Sequence, residues 1–242
     1  MTRLSIEGLH VRHGLLQAVK DVSFSVGQRE TVALVGANGA GKTTLLRAIA
    51  GAHLPSSGRI VFDGTDVTAM PAYKRVGCGI ALVPEGRRLF AQMTVEENLL
   101  LARSAGRSGA WTIDAVMETF PQIKRRRSVK AGNLSGGEQQ ATAIGRALMT
   151  NPEILLLDEI SLGLSPIAVE QVYASLTSLL KSGTTCVLVE QDLNRAIAVA
   201  DRVICMLEGR IVLEGPAAQL SREEITEAYF GLSEAHAKDL TS

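Results

Sequence analysis

This chain of 242 residues is poor in aromatic side chains, which make up 4% of it. Its core must therefore be built from Leu, Ile, Val and Ala. Cysteine occurs three times, at Cys78, Cys186 and Cys205. An odd and widely spaced set fits neither a disulfide framework nor a zinc pattern. Cys186 and Cys205 fall in apolar, strand-like runs and read as small core hydrophobes, which suits a reducing, cytoplasmic setting. There is no excess of either charge: 25 Lys and Arg balance 25 Asp and Glu. With no surplus of basic residues to displace counterions, nonspecific nucleic-acid binding is disfavoured. No apolar run approaches the ~20 residues that span a bilayer. The opening "MTRLSIEGLH" lacks the charged, apolar and small-residue regions of a signal peptide. One basic run is dense, "KRRRSVK" at 124–130, and it reads as a solvated helix end.

Hydrophobic residues make up 46% of the chain, enough for a sizeable core. The first third alternates strands and turns: "LSIEGLHV", "VSFSV", "TVALVG", "GRIVFDG". The short buried strand "IALVPE" follows, then a helical pattern from Thr94 to about Arg127, opened by the capping-box pair Thr94 and Glu97. Beyond it, strands and helices alternate: "ILLLDE", a helix over 166–181, "TCVLVE", and a helix over "LNRAIAVA". "RVICMLEGRIVLEG" predicts a hairpin turning at Glu208–Gly209. Ser221 to Phe230 reads as a last short helix with capping-box spacing. The continuous apolar runs predict parallel strands buried on both faces, and the early alternating ones predict antiparallel pairing. The expectation is a mixed α/β core with a helical insertion over roughly 87–150.

"LVGANGAGKTT" has Walker A spacing in Gly36, Gly41, Lys42 and Thr43, between an apolar strand and an amphipathic helix. Its glycines, Gly39 among them, let the backbone N–H groups of Asn38 through Thr44 approach phosphate oxygens at a helix N-terminus. Lys42 supplies charge for the β- and γ-phosphates of ATP, and the Thr43 hydroxyl can ligate Mg²⁺. "ILLLDE" sets Asp158 and Glu159 at a strand end, where α/β sheets bind ligands. Asp158 is the metal-orienting carboxylate of a Walker B strand, and Glu159 can orient or deprotonate the attacking water. A third motif, "LSGGEQQ", pairs Ser135 and Glu138 as a capping box but leaves Gly136 and Gly137 without a local reason. Close approach of an anion to bare backbone at that helix start supplies one. Two phosphate sites for one triphosphate point to a second copy, each capping the γ-phosphate held by the other.

"GANGAGKTT", "LSGGEQQ", "ILLLDE" and "SLGLSP", in that order, resemble the ATP-binding-cassette ATPases across essentially the whole chain. The resemblance implies one domain over 1–242: a P-loop NTPase core with a mixed sheet, an antiparallel β subdomain, and 87–150 as the helical signature subdomain. It also implies a head-to-tail dimer with two ATPs between Walker A of one subunit and the signature residues Ser135, Gly136 and Gly137 of the other. Ser161 to Leu164 matches the loop that meets the partner. Three positions depart from the family pattern. Glu85 replaces the Gln that touches Mg²⁺ and senses the γ-phosphate. Gln191 replaces the switch His, and its amide cannot carry a proton near neutral pH. His13 stands where an aromatic stacks on adenine.

These departures, with "VPEGRRLFAQMTVEENL", "DEISLGLSP", "LVEQDLNRAIAVADR" and the terminal "YFG", resemble an ATPase subunit of the branched-chain amino-acid importers. The resemblance implies a peripheral subunit on the cytoplasmic face of the cell membrane. Its partners would be two transmembrane permease subunits, a second ATPase that is the same or paralogous, and, indirectly, an extracytoplasmic solute-binding protein. A groove near Glu85 to Phe90 would receive a short helix from the permeases. The alternative is a soluble ABC ATPase such as an iron–sulfur assembly component. Chromosome-type relatives insert a long coiled coil and ribosome-type relatives carry two cassettes, neither of which this chain has.

Overall fold

A computed structural model describes residues 1–105 and 107–231. They form two compact units: one takes in Met1–Met70 and the chain from Val187 onward, the other Pro71–Cys186.

The first unit opens with β1 (Thr2–His13) and β2 (Leu16–Gly27), a long antiparallel hairpin. β3 (Thr31–Val35), buried at every residue, leads into α1 (Lys42–Ile49). β4 (Ser57–Phe62) and β5 (Thr65–Asp66) complete a four-stranded antiparallel sheet in the order β2-β1-β4-β5. Its strands bury alternate residues, as the period-two pattern requires.

In the second unit come α2 (Ala72–Cys78), β6 (Ile80–Val83), α3 (Val95–Leu101), α4 (Ile113–Thr119), α5 (Pro121–Lys124), α6 (Gly136–Leu148), β7 (Ile154–Asp158) and α7 (Pro166–Lys181). β6 and β7 pair in parallel. α6 is the central helix of this unit, packed against α3, α5, α7 and β6.

β8 (Thr185–Val189), wholly buried, carries the chain across the boundary between the units. The first unit then resumes with α8 (Leu193–Val199), β9 (Arg202–Leu207), β10 (Arg210–Pro216) and α9 (Arg222–Phe230). β9 lies between β3, to which it is parallel, and β10, to which it is antiparallel. α8 and α9 cover this layer with Ala196, Ile225 and Ala228 against Ala33, Val35, Val203 and Cys205.

The expected architecture holds: parallel strands where the sequence is continuously apolar, antiparallel ones where it alternates. Three expected capping boxes form, at Thr94–Glu97, Ser135–Glu138 and Ser221–Glu224. Each N-cap side chain contributes about 1 kcal/mol to its helix. The β9–β10 turn falls at Glu208 and Gly209, both with positive φ (48° and 85°), as a two-residue hairpin demands.

One expectation needs correcting. The helical pattern over 94–127 is not continuous. α3 ends at Leu101, the glycine-containing segment before Trp111 breaks the run, and Pro121 starts a new helix at its first position, where a missing N–H costs nothing. The basic run at 124–130 is largely exposed at the end of α5, as expected, and two of its arginines make surface ion pairs. Arg126 pairs with Glu138 at 2.8 Å, and Arg127 pairs with Glu96. Cys186 and Cys205 are buried as expected, and burial raises both thiol pKa values, that of Cys205 to about 11.

Candidate functional site

In the first unit, the loop from Gly36 to Gly41 joins β3 to α1. It needs glycine at both ends. Gly36 and Gly41 have φ of 146° and 100°, and a Cβ on either would lie 2.2 Å from the Met206 carbonyl oxygen or 2.3 Å from that of Ala18. The base of the loop is stapled by the β9–β10 turn: Gly209 N–H donates to the Ala40 carbonyl at 3.0 Å, and Lys20 N–H donates to the Gly209 carbonyl at 2.8 Å. Asn38 and Gly39 are exposed at the crest. α1 starts without a side-chain cap and without an acid in its first turn. The N-terminal N–H groups of a helix are then left for an anion, which the helix dipole also favours.

Lys42 is only 4% exposed. Its ammonium donates to the carbonyls of Gly36 (2.7 Å) and Ala37 (3.0 Å), so the charge is held inside the curl of the loop. Thr43 and Thr44 follow in the first helical turn. His13, at the end of β1, lies 3.1 Å by Nε2 from the Thr44 hydroxyl and 4.5 Å, centroid to centroid, from the ring of His53. The structure thus puts His13 beside the phosphate loop. Gln191 is exposed between the end of β8 and Asp192, whose carboxylate caps α8.

In the second unit, Asp158 closes β7 and is 1% exposed. Glu159 follows with φ 48°, a left-handed conformation for a non-glycine residue. Such backbone costs on the order of 1–3 kcal/mol and persists where surrounding structure enforces it, commonly at functional sites. Glu85 is exposed just beyond β6. Ser135 is the N-cap of α6, its hydroxyl accepting from Glu138 N–H. Burial opposes ionisation of Glu138, but bonds from Arg126 and Ser135 hold its carboxyl below the ordinary range.

The two glycines of "LSGG" differ. A Cβ on Gly137 would lie 2.9 Å from the Ala168 methyl on α7, so helix packing alone demands glycine there. Gly136 is partly exposed, with Leu164 and the Arg87 guanidinium as neighbours. The sequence offered only ligand approach for the pair; for Gly137 the structure supplies a packing reason.

Residues to which sequence reasoning gave no individual role cluster between β6 and α6. Arg87 and Arg88 have φ of 63° and 51°. Arg87 donates to Gln139 Oε1 at 2.9 Å, and Arg146 donates to the Arg87 carbonyl at 3.2 Å. Buried Asn98 pins Phe90 by its N–H (2.9 Å) and its carbonyl (3.1 Å). Phe90 is 56% exposed and lies under the Arg146 guanidinium at 5.9 Å. With Arg88, Leu101, Val76 and Ala147 these two line a cavity of about 410 Å³. The only signal in the sequence was the string "GRRLF". A larger cavity, about 580 Å³ and lined by Arg103, Arg107, Trp111 and Arg127 among others, contains none of the expected site residues.

The ABC transporter family matches residues 19–161, which span the phosphate loop, "LSGGEQQ" and the acidic strand end. The chain belongs to this family. It is an ATP-binding-cassette ATPase. Among curated relatives, the cassette is 43% identical to the high-affinity branched-chain amino acid transport ATP-binding protein BraG of Pseudomonas aeruginosa, over 94% of this chain and 99% of that protein. Among solved structures it is similar to a nucleotide-free ATP-binding cassette from an ABC transporter, with TM-score 0.82 and 27% identity over 98% of each chain. It is also similar to a bacterial ABC transporter cassette solved as a dimer, with TM-score 0.78 and 25% identity over 88% of this chain and 98% of that one. Among the described residues of the cassette, no helix is long and apolar enough to cross a membrane.

Proposed function

We propose that this ATPase powers import of branched-chain or related amino acids, as a peripheral subunit on the cytoplasmic face of two transmembrane permeases that are served by an extracytoplasmic binding protein. The observation that carries the substrate class is the full-length similarity to BraG. The same similarity disfavours the alternative of a soluble iron–sulfur assembly component. The groove lined by Phe90, Leu101 and Arg88 suits a short apolar helix from a permease, because it offers an exposed ring and aliphatic side chains.

In this reading, Lys42 and the N–H groups from Asn38 to Thr44 grip the β- and γ-phosphates, while His13 lies against the base. Thr43, Asp158 and Glu85 offer hydroxyl and carboxylate oxygens, the hard donors that Mg²⁺ takes. Among the described residues there is no cluster of three or more His, Cys, Asp or Glu. Mg²⁺ is commonly held by one or two side-chain oxygens together with substrate phosphates and water. When bound, Mg²⁺ neutralises charge on the β- and γ-phosphates. Glu159 orients the attacking water and takes its proton as the bond from the water oxygen to the γ-phosphorus forms and the bond from the γ-phosphorus to the β–γ bridging oxygen breaks, so that ADP and phosphate leave. Gln191 hydrogen-bonds a phosphate oxygen. Ser135 and the backbone of Gly136 and Gly137 cap the γ-phosphate held by a second ATPase subunit, identical or paralogous.

Glu159→Gln keeps the shape and loses the base. It should bind ATP with unchanged affinity and hydrolyse it at least a hundredfold more slowly, the general-base contribution being about 10²–10⁴. Hydrolysis at the unmodified rate would refute the role of Glu159. Uptake of radiolabelled leucine by cells carrying the transporter, against uptake in cells with the Glu159→Gln chain, tests the substrate class.

A further inference from the structure

The loop from Glu85 to Phe90 sits between two features that the proposed function uses separately, the groove and the signature helix α6. Its geometry joins them. At the groove end, Phe90 is fixed by Asn98 through both its N–H and its carbonyl, and its ring lies under Arg146. Arg146, in the last turn of α6, donates to the Arg87 carbonyl at 3.2 Å. At the other end, the Arg87 guanidinium donates to Gln139 Oε1 at 2.9 Å. Gln139 passes the contact on: its amide nitrogen donates to the carbonyls of Ala131 (3.2 Å) and Leu134 (3.3 Å). Those two carbonyls belong to the segment that delivers Ser135 to the start of α6. A methyl group at Gly136 would lie 3.4 Å from an Arg87 guanidinium nitrogen, so the same side chain also borders the first residue of the helix.

The backbone argues that this arrangement is held in place. Arg87 and Arg88 are consecutive left-handed residues, and Arg88 N–H closes a tight turn onto the Gly86 carbonyl at 2.6 Å. Two adjacent side-chain-bearing residues keep that conformation only under external constraint. Arg146, Gln139 and Asn98 supply the constraint.

We propose that Arg87 is a positioning residue for the signature motif. It sets the placement of Ser135 and Gly136 through Gln139, and it makes that placement answer to whatever occupies the groove at Phe90 and Arg146. This rests on the reading that Ser135 and Gly136 close on a nucleotide held by a second subunit. The docking of a permease helix would then reach the signature motif within one unit of the chain, by way of Phe90, Arg146, Arg87 and Gln139.

The test uses the full chain in the Glu159→Gln background, where ATP is held unhydrolysed, with sedimentation measuring ATP-dependent pairing. Added Arg87→Ala or Gln139→Ala should each weaken pairing about tenfold, while ATP affinity of the separated chain stays within twofold. The two together should be no worse than either alone, because both cut one linkage. Arg87→Lys, which keeps one donor for Gln139, should fall between the parent and Arg87→Ala, and it serves if the alanine variant does not fold. Phe90→Ala should weaken pairing when Arg87 is present and have no further effect in Arg87→Ala. Undiminished pairing in Arg87→Ala, or fully additive losses with Gln139→Ala, would overturn the inference while leaving the proposed function intact. No ATP-dependent pairing in Glu159→Gln itself would overturn both.

Discussion

Replacing Lys42 by methionine tests the phosphate loop in a way that separates charge from packing. The Lys42 stem is buried and its ammonium is held by the Gly36 and Ala37 carbonyls. Methionine keeps an unbranched chain of similar length and fills the same space. A hydrogen bond to a charged group contributes about 1.5–3 kcal/mol, which corresponds to roughly 10- to 150-fold in affinity. The lysine must share or surrender its bonds to the two loop carbonyls when it turns to a phosphate, so the net loss belongs in the lower part of that range, a few tens of fold. Fluorescence titration with a labelled ATP analogue measures it. Without nucleotide, the same variant leaves the Gly36 and Ala37 carbonyls short of a donor at a cost of about 1–3 kcal/mol. A shift of about 2–4 °C in melting temperature accompanies each kcal/mol in a chain of this size. A melting point that falls together with nucleotide affinity within twofold of the parent would refute the argument, because Lys42 would then serve the loop and not the ligand.

Two further outcomes follow from the first unit. The Asp66 carboxyl accepts from the Thr68 hydroxyl (2.6 Å), the Thr68 N–H (2.9 Å) and Arg59 (2.7 Å), and these hold its pKa down to about 2. The folded value lies below the unfolded one, so its contribution is complete above the ordinary carboxylate range and is lost as pH falls through about 2. An NMR titration should find the Asp66 midpoint near 2 and should find it moved up toward the ordinary range in Thr68→Ala; equal midpoints would refute the Thr68 assignment. Gln191→His should retain ATPase activity at a similar or higher level, since an imidazole can also bond a phosphate oxygen. A dead histidine variant in a steady-state phosphate-release assay would mean the pocket requires the amide.

What could be read in the sequence was what short-range chemistry dictates. Thr94, Ser135 and Ser221 announced their helices because a cap and its Glu lie three residues apart. Glu208–Gly209 announced its hairpin because only a few residue types tolerate positive φ. The phosphate loop was legible for the same reason: its glycines, lysine and threonine are contiguous. Features that depend on distant partners were not. Gly137 faces Ala168, far along the chain on another helix, and nothing local signals that contact. A groove at "GRRLF" was expected, but not the contacts of Arg87 within it, because its left-handed backbone and its bond to Gln139 are set by α3 and α6. The break between α3 and α4 was masked by good helix formers on both sides of a short glycine-containing segment.

The account stands or falls on cooperation between two ATPase subunits, in which the signature residues of one complete the nucleotide site of the other. The most direct measurement is the ATPase rate per chain as a function of protein concentration, with sedimentation run in parallel under the same nucleotide conditions. The account predicts a rate that rises with the fraction of paired chains and vanishes on dilution, and that a Ser135→Arg chain is inactive alone yet regains turnover when mixed with a Lys42→Met chain, because one intact composite site forms. Full hydrolysis by chains that sediment as monomers, or no recovery in the mixture although the two chains pair, would contradict it.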